Sequence, residues 1–240
     1  MAFASRYLDA ADECDVAVAI KHFPGDGVDE RDQHILTSVN SFSTEKWDET
    51  FGYVYSNLIQ KGAKTVMVGH IAQPAYVKAI NPNATRKEML HPASLSPELL
   101  TLGFNGLIST DATPMVGFTA AMKRCEAIPQ AIAAGCDMIL FNKSLEEDYG
   151  YLLTAVKEGK VSEERLDEAV LRILATKASL HLHEKKRTKT LVPGEEAIKI
   201  VGCQTHKTWA KEVADQAITL VRDNQNLLPI SPKKYKRVYL

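Results

Sequence analysis

The sequence is short of the features that mark specialised chains. It has four cysteines in 240 residues, Cys14, Cys125, Cys136 and Cys203, and none form a CxxC pair. That excludes a disulfide scaffold and a thiolate zinc site, and fits reduced, buried thiols in a cytosolic protein. No apolar run reaches the ~18 residues needed to cross a bilayer, so no membrane partner is expected. The start, Met1-Ala-Phe-Ala-Ser-Arg-Tyr7, lacks the basic segment and apolar core of a signal peptide, which points to a cytoplasmic location. Neither sign of charge is in excess. Lys and Arg number 29 against 30 Asp and Glu, for a net charge of -1, and this argues against a nucleic-acid partner held by bulk charge. No internal repeat is visible.

What is present is ordinary globular material, 45% hydrophobic, 25% charged and 7% aromatic. The length allows one or two domains with a core that needs no staples. Charge is uneven along the chain. Residues 181–240 carry 12 basic and 6 acidic side chains, while residues 1–180 carry 17 and 24. Short basic runs of this kind usually form solvated faces.

The order of elements is regular. Val16-Ala-Val-Ala-Ile20 reads as a strand buried on both faces, after a helix over residues 3–13. A loop rich in Gly and Asp follows from Pro24 to Val39. Ser43 or Thr44 caps a helix that runs to Lys61. Thr65–His70 is a second strand, and residues 73–92 read as a Pro-rich loop. Ser96-Pro97 opens a helix, with proline at its first position. Gly106–Ser109 is a third strand, residues 117–134 a helix and Asp137–Phe141 a fourth strand. Two helices, broken near Gly159, fill residues 145–179. Strands that are apolar throughout and alternate with helices predict an α/β fold with a parallel sheet. Residues 183–204 read as a polar linker. Residues 207–222 form a further helix, and Leu227–Ile230 and Val238–Leu240 would begin new sheet structure.

In parallel α/β folds the chemistry lies at the carboxyl ends of the strands. Lys21 and His22 follow the first strand, His70 ends the second and Asp111 ends the third. A lone Asp there is more often a cap or turn residue, and a lone His a structural one. Three successive strand ends favour a site. The loop after the first strand adds Asp32 and His34. An Asp two residues before a His can hydrogen-bond the imidazole, hold one tautomer and favour its protonated form. Such a His can protonate a leaving group. Asp111 would then be a nucleophile or an electrostatic stabiliser.

Lys21-His-Phe-Pro-Gly-Asp-Gly27 with Asp32-Gln-His34 resembles the signature of glycoside hydrolase family 3, in its β-N-acetylglucosaminidase branch. Val68-Gly-His70-Ile, Phe104–Ala112 with Met115, and Leu227-Leu-Pro-Ile-Ser231 resemble further segments in the same order. The resemblance covers roughly residues 16–232. It implies the last four units of a (β/α)8 TIM-type barrel over residues 1–182, a linker over 183–204, and the start of an α/β sandwich domain over 205–240. It implies Asp111 as the nucleophile of a retaining reaction, His34 as general acid/base and Asp32 as its partner. Lys21, His22, His70 and Met115 would bind the sugar. The partner would be a carbohydrate, an N-acetylglucosaminide such as a peptidoglycan or chitin fragment, and no cofactor is implied.

Some relatives in this branch are phosphorylases, and an imidazole in place of a second carboxylate does not repel phosphate. Phosphorolysis is therefore an alternative. A second alternative is a non-catalytic remnant. Only four βα units precede the linker, and Met1 falls inside an uncapped helix, so the expectation is a fragment of a longer protein. About seven residues separate the helix start at Ser96 from the next strand, where a crossover helix takes ~10–12, and this would strain Asp111. Two open sheet edges would favour self-association. A metal site from His22, His34, His70 and Asp32 is disfavoured, because the spacing matches no HExxH-type geometry. The Gly25-Asp-Gly27 segment lacks the spacing of a phosphate loop and reads as a tight turn.

Overall fold

The computed structural model describes residues 1–101 and 103–237, so the strand expected at Val238–Leu240 lies outside the described residues. The one expected at Leu227–Ile230 does not form, since among the described residues no strand is there to pair with it. The chain divides into two units, Met1–Lys185 and Lys186–Leu240.

The first unit is built on a parallel sheet. Strands β1 (Ala19–Phe23), β2 (Ser38–Val39), β3 (Thr65–Val68), β4 (Ile71–Ala72), β5 (Leu107–Ala112) and β6 (Met138–Leu140) occur in chain order. Four of them form one sheet in the order β1-β3-β5-β6, and β2 with β4 forms a two-stranded parallel sheet. Among the described residues, β1 and β6 each pair on one side only.

The expected first strand is displaced. β1 begins at Ala19 rather than Val16, because its register is set by the partner: Ala19 faces Thr65, Ile20 faces Val66 and Phe23 faces Val68. A bulge falls between Ile20 and Phe23, so Lys21 and His22 lie within the strand rather than beyond it. β5 likewise extends to Ala112, and Asp111 is a strand residue.

The helices are α1 (Ala2–Asp12), α2 (Thr44–Trp47), α3 (Tyr53–Gln60), α4 (Pro74–Ile80), α5 (Arg86–Met89), α6 (Pro97–Leu100), α7 (Val116–Thr119), α8 (Arg124–Ala134), α9 (Leu145–Lys157) and α10 (Glu163–Ser179). A π-helical turn over Asp48–Gly52 joins α2 to α3, and the Ser43 hydroxyl caps α2 by accepting from Lys46 N at 3.2 Å. The expected loop at 73–92 holds α4 and α5. The Gln73 side chain caps α4, which opens on Pro74, and Thr85 with Glu88 forms a reciprocal capping box on α5, so Pro82 and Pro92 fall outside both helices. Residues expected as one helix over 117–134 form α7 and α8 with a break between them.

Ile20, Val66, Val68 and Ile108 of the sheet share one core with Leu58, Leu99, Ile128 and Ala131 of the helices. Trp47 stacks on Tyr55 at 6.4 Å, and Phe23 meets both rings edge-on at 5.9 and 5.3 Å. This cluster seats the α2–α3 segment on β1. Around Asp111 the register of β5 with β6 shifts, between Ser109 and Ala112, while the ladder with β3 is regular from Thr65–Leu107 as far as Val68–Thr110.

Two buried ion pairs fasten later helices. Asp137, fully buried, accepts from Ile108 N at 2.9 Å and pairs with Arg165 of α10. Arg165 also donates to the carbonyls of Ile132, Gly135 and Cys136. Arg124 of α8 pairs with Asp148 of α9 and donates to Thr113 O and Oγ1, just beyond β5.

At the boundary stands α11 (Leu182–Arg187). In the second unit a 3-10 segment spans Glu195–Ile200 and α12 covers Gln204–Ala217, three residues earlier at its start than the periodicity suggests. No helix among the described residues is long and apolar enough to cross a membrane.

Candidate active site

β1 and β5 deliver the central pair. Burial alternates along β5, with Ile108 and Thr110 covered and Leu107, Ser109 and Asp111 less so. Asp111 therefore faces away from the helix-side core, and its side chain is 13% exposed. Its Oδ1 accepts from Ala112 N at 2.7 Å. Nε2 of His22 lies 3.6 Å from Asp111 Oδ2, and Nδ1 of the same ring lies 3.5 Å from Asp26 Oδ2. Lys21, next in the chain, is exposed.

The loop after β1 turns sharply at Gly25 and Gly27, both at positive φ, and returns over the strand ends. It is braced internally. Asp29 accepts from Val39 N at 2.8 Å and pairs with Arg31, whose hydrogen bonds hold the Asp29 carboxyl well below the usual range. Asp32 Oδ1 accepts from His34 N at 2.8 Å and lies 2.7 Å from His34 Nδ1. These bonds keep the Asp32 carboxyl below its ordinary value, and they leave Nε2 of His34 as the free ring nitrogen. Both side chains are exposed.

His70 sits elsewhere than expected. It is fully buried, in contact with the ring of Phe118 at 5.1 Å between centroids. Nε2 donates to Ala112 O at 3.0 Å, so Nδ1 accepts from the Ser94 hydroxyl at 3.0 Å. Burial pushes its pKa below the ordinary histidine value. No surface of His70 is open to a sugar. It braces the strand end beside Asp111 instead of lining a subsite, because Phe118 and Ser94 cover it. Met115, expected in the same wall, is 7% exposed.

The structure thus joins His22 to Asp111, keeps Asp32 and His34 as a separate pair, and removes His70 from the cleft. It adds two residues the sequence reading missed. Asp26 was visible only as a turn residue. Gln33 was hidden between Asp32 and His34, yet its side chain is buried, accepting from His70 N at 2.7 Å and donating to Asp26 Oδ2 at 3.1 Å. No local signal distinguishes such a glutamine from an exposed one. No cluster of three or more His, Cys, Asp or Glu among the described residues is arranged to hold a metal ion.

Four parallel βα units with a carboxylate at the end of β5 and an Asp–His pair on the loop after β1 define part of a barrel-type catalytic domain of the α/β class. The sequence matches the glycosyl hydrolase family 3 N-terminal domain over residues 1–176, and the chain belongs to that family. A β-N-acetylglucosaminidase/β-glucosidase from Cellulomonas fimi is 47% identical over 99% of this chain and 42% of its own length. β-Hexosaminidase A from Pseudoalteromonas piscicida is 25% identical over 93% and 39%. Among solved structures, the β-glucoside phosphorylase BglX superposes with a TM-score of 0.89 at 45% identity, over 96% of this chain and 42% of that one. A family 3 β-N-acetylglucosaminidase from Paenibacillus sp. str. FPU-7 gives 0.66 at 29% identity, over 75% and 34%. The chain therefore spans less than half the length of these relatives.

Proposed function

We propose that this chain carries the catalytic centre of an enzyme that cleaves β-glycosidic bonds of terminal N-acetylglucosamine through a covalent glycosyl intermediate. The observation that supports it most directly is the 2.7 Å pairing of Asp32 with His34 on the loop after β1, at the sheet edge where β5 presents Asp111. In the first step an Asp111 oxygen attacks the anomeric carbon. The bond to the departing oxygen breaks, and that oxygen takes the proton carried by His34. In the second step water attacks the same carbon, His34 takes its proton, and Asp111 leaves as a carboxylate. Two inversions give net retention. Lys21 and His22 hydrogen-bond the sugar hydroxyls.

Phosphate as the second-step acceptor is the other reading. Most glycosidases place a second carboxylate where this chain has His34. A carboxylate repels an anionic attacker, and a neutral imidazole does not. The likeness to a phosphorylase at 45% identity supports the same reading, and the dual name of the Cellulomonas relative supports testing β-glucosides as donors as well.

The test is turnover of 4-nitrophenyl N-acetyl-β-glucosaminide and 4-nitrophenyl β-glucoside, with and without phosphate, by this chain and by Asp111→Ala. Turnover lost in the variant supports the reading, and a sugar 1-phosphate among the products selects phosphorolysis. A folded chain without turnover overturns it for this polypeptide.

A further inference from the structure

We infer that Gln33 is a positioning residue that ties the Asp32–His34 loop to the strand carrying Asp111, acting through His70 and Gly117. This rests on the roles proposed for His34 and Asp111.

The tie has two parts. The first runs through side chains. Gln33, 5% exposed, accepts from His70 N at 2.7 Å, and His70 in turn donates from Nε2 to the carbonyl of Ala112, the residue after Asp111. The other end of the Gln33 amide donates to Asp26, which faces the His22 ring that reaches Asp111. The second part is backbone. Val116 N donates to His34 O at 3.0 Å, and Gly117 N donates to Gln33 O at 3.1 Å. The Thr37 hydroxyl donates to Gly117 O at 2.8 Å. The loop bearing the acid/base is thus laid along the first turn after the nucleophile's strand.

Close approach makes the second part possible. A Cβ on Gly117 would lie 2.6 Å from Gln33 O, 2.9 Å from His70 Cβ and 3.1 Å from Leu36 O. A side chain there would push the loop away. The exposed Asp32–His34 pair has no burial of its own to hold it, so its place relative to Asp111 depends on these bonds. An acid misplaced by about an ångström forfeits much of the ~10²–10⁴ that general acid catalysis supplies.

Two variants test this, Gln33→Leu and Gly117→Ala, with circular dichroism and thermal melting to establish that each folds. The first readout is kcat/KM, which reports the first covalent step, for aryl glycosides of graded leaving-group pKa. A 2,4-dinitrophenyl group leaves without protonation and a phenyl group does not. The expected result is a loss of about tenfold to hundredfold on the phenyl glycoside, a fraction of the general-acid factor, with the dinitrophenyl glycoside changed by less than about threefold. Equal loss on both, or none on either, overturns the inference. The second readout needs no turnover. Amide hydrogen exchange at His70, Val116 and Gly117 should quicken by about tenfold in Gln33→Leu, as the loss of one hydrogen bond implies, while β3 stays protected. A wild-type chain without turnover counts against the proposed function. Exchange then decides the tie by itself, and unaltered protection at these three amides overturns it.

Discussion

The imidazole of His22 reaches across β3 to Asp111, with Nε2 3.6 Å from Oδ2. β1 and β5 are not neighbours in the sheet, and the contact exists because β3 stops at Val68 and is followed by Gly69. A Cβ at Gly69 would lie 3.1 Å from His22 Cβ and 3.1 Å from Gln33 Oε1, so the gap over β3 is kept clear by the missing side chain.

That placement makes Asp111 the group to trap. Incubation with a 2-deoxy-2-fluoro β-glycoside bearing a good leaving group should add one glycosyl mass to the peptide that contains Asp111. Asp111→Ala should gain none. A label on Asp26 or Asp32 instead would reassign the nucleophile, and peptide mass spectrometry reads this directly.

In the proposed reaction Asp32 is the partner of His34, whose Nδ1 it meets at 2.7 Å. Asp32→Asn removes the charge that orients the imidazole while keeping its size. The expected cost is about tenfold to hundredfold in turnover of a phenyl glycoside, with a smaller loss on activated substrates. An unchanged rate would mean that His34 needs no partner.

His70 gives stability a sign with pH. Its folded pKa lies below the ordinary value because burial disfavours the charged ring. The unfolded chain therefore binds the proton first as pH falls below about 6.5, and the folded state loses stability from there down to the folded pKa. Above that window the contribution is complete. Urea midpoints measured from pH 8 to 5 should fall in the wild type. The slope should flatten in His70→Gln, and an equal slope in both would sink the assignment.

Asp137 and Arg165 set a stability prediction far from the site. The carboxylate side chain is fully buried and the guanidinium nearly so. Arg165→Leu leaves a buried charge whose remaining cationic neighbour is Arg172, at 3.5 Å, and it removes three carbonyl partners. A loss of about 3–5 kcal/mol is expected in urea unfolding. Asp148 behaves in a related way. Burial pushes its carboxyl up, but the hydrogen bonds from Arg124 and Asn142 outweigh that and hold it below its ordinary value. Its contribution is full above the ordinary carboxylate range and fades as pH falls through the folded pKa.

Among the described residues β1 and β6 each pair on one side only, and this leads to a further expectation, self-association. Sedimentation velocity over a range of concentrations should give a rising average mass. A constant monomer mass would show that these edges are shielded.

Much of this arrangement was legible in the residues. The apolar runs around Ile20, Val66, Ile108 and Ile139 marked the four sheet strands, and Ser43 and Ser96 marked helix starts that the structure uses as caps. Asp32 and His34 are two residues apart, so their hydrogen bond needs only a local turn. Caps and turns also explain what was missed. The Gln73 cap and the Thr85–Glu88 box are signals only a few residues long, set among three prolines that read as loop.

The alternation of strands and helices, the carboxylate and histidines near the strand ends, and the family all follow from the order of residues. These depend on side-chain periodicity and on contacts a few residues long. Tertiary structure alone decided the rest. It shifted β1 to Ala19 because the ladder with β3 sets the register. It buried His70 because Ser94, Ala112 and Phe118 converge on it from distant segments. It also made Gln33 a link between loop and strand, since its partners Asp26 and His70 meet only after the sheet has formed.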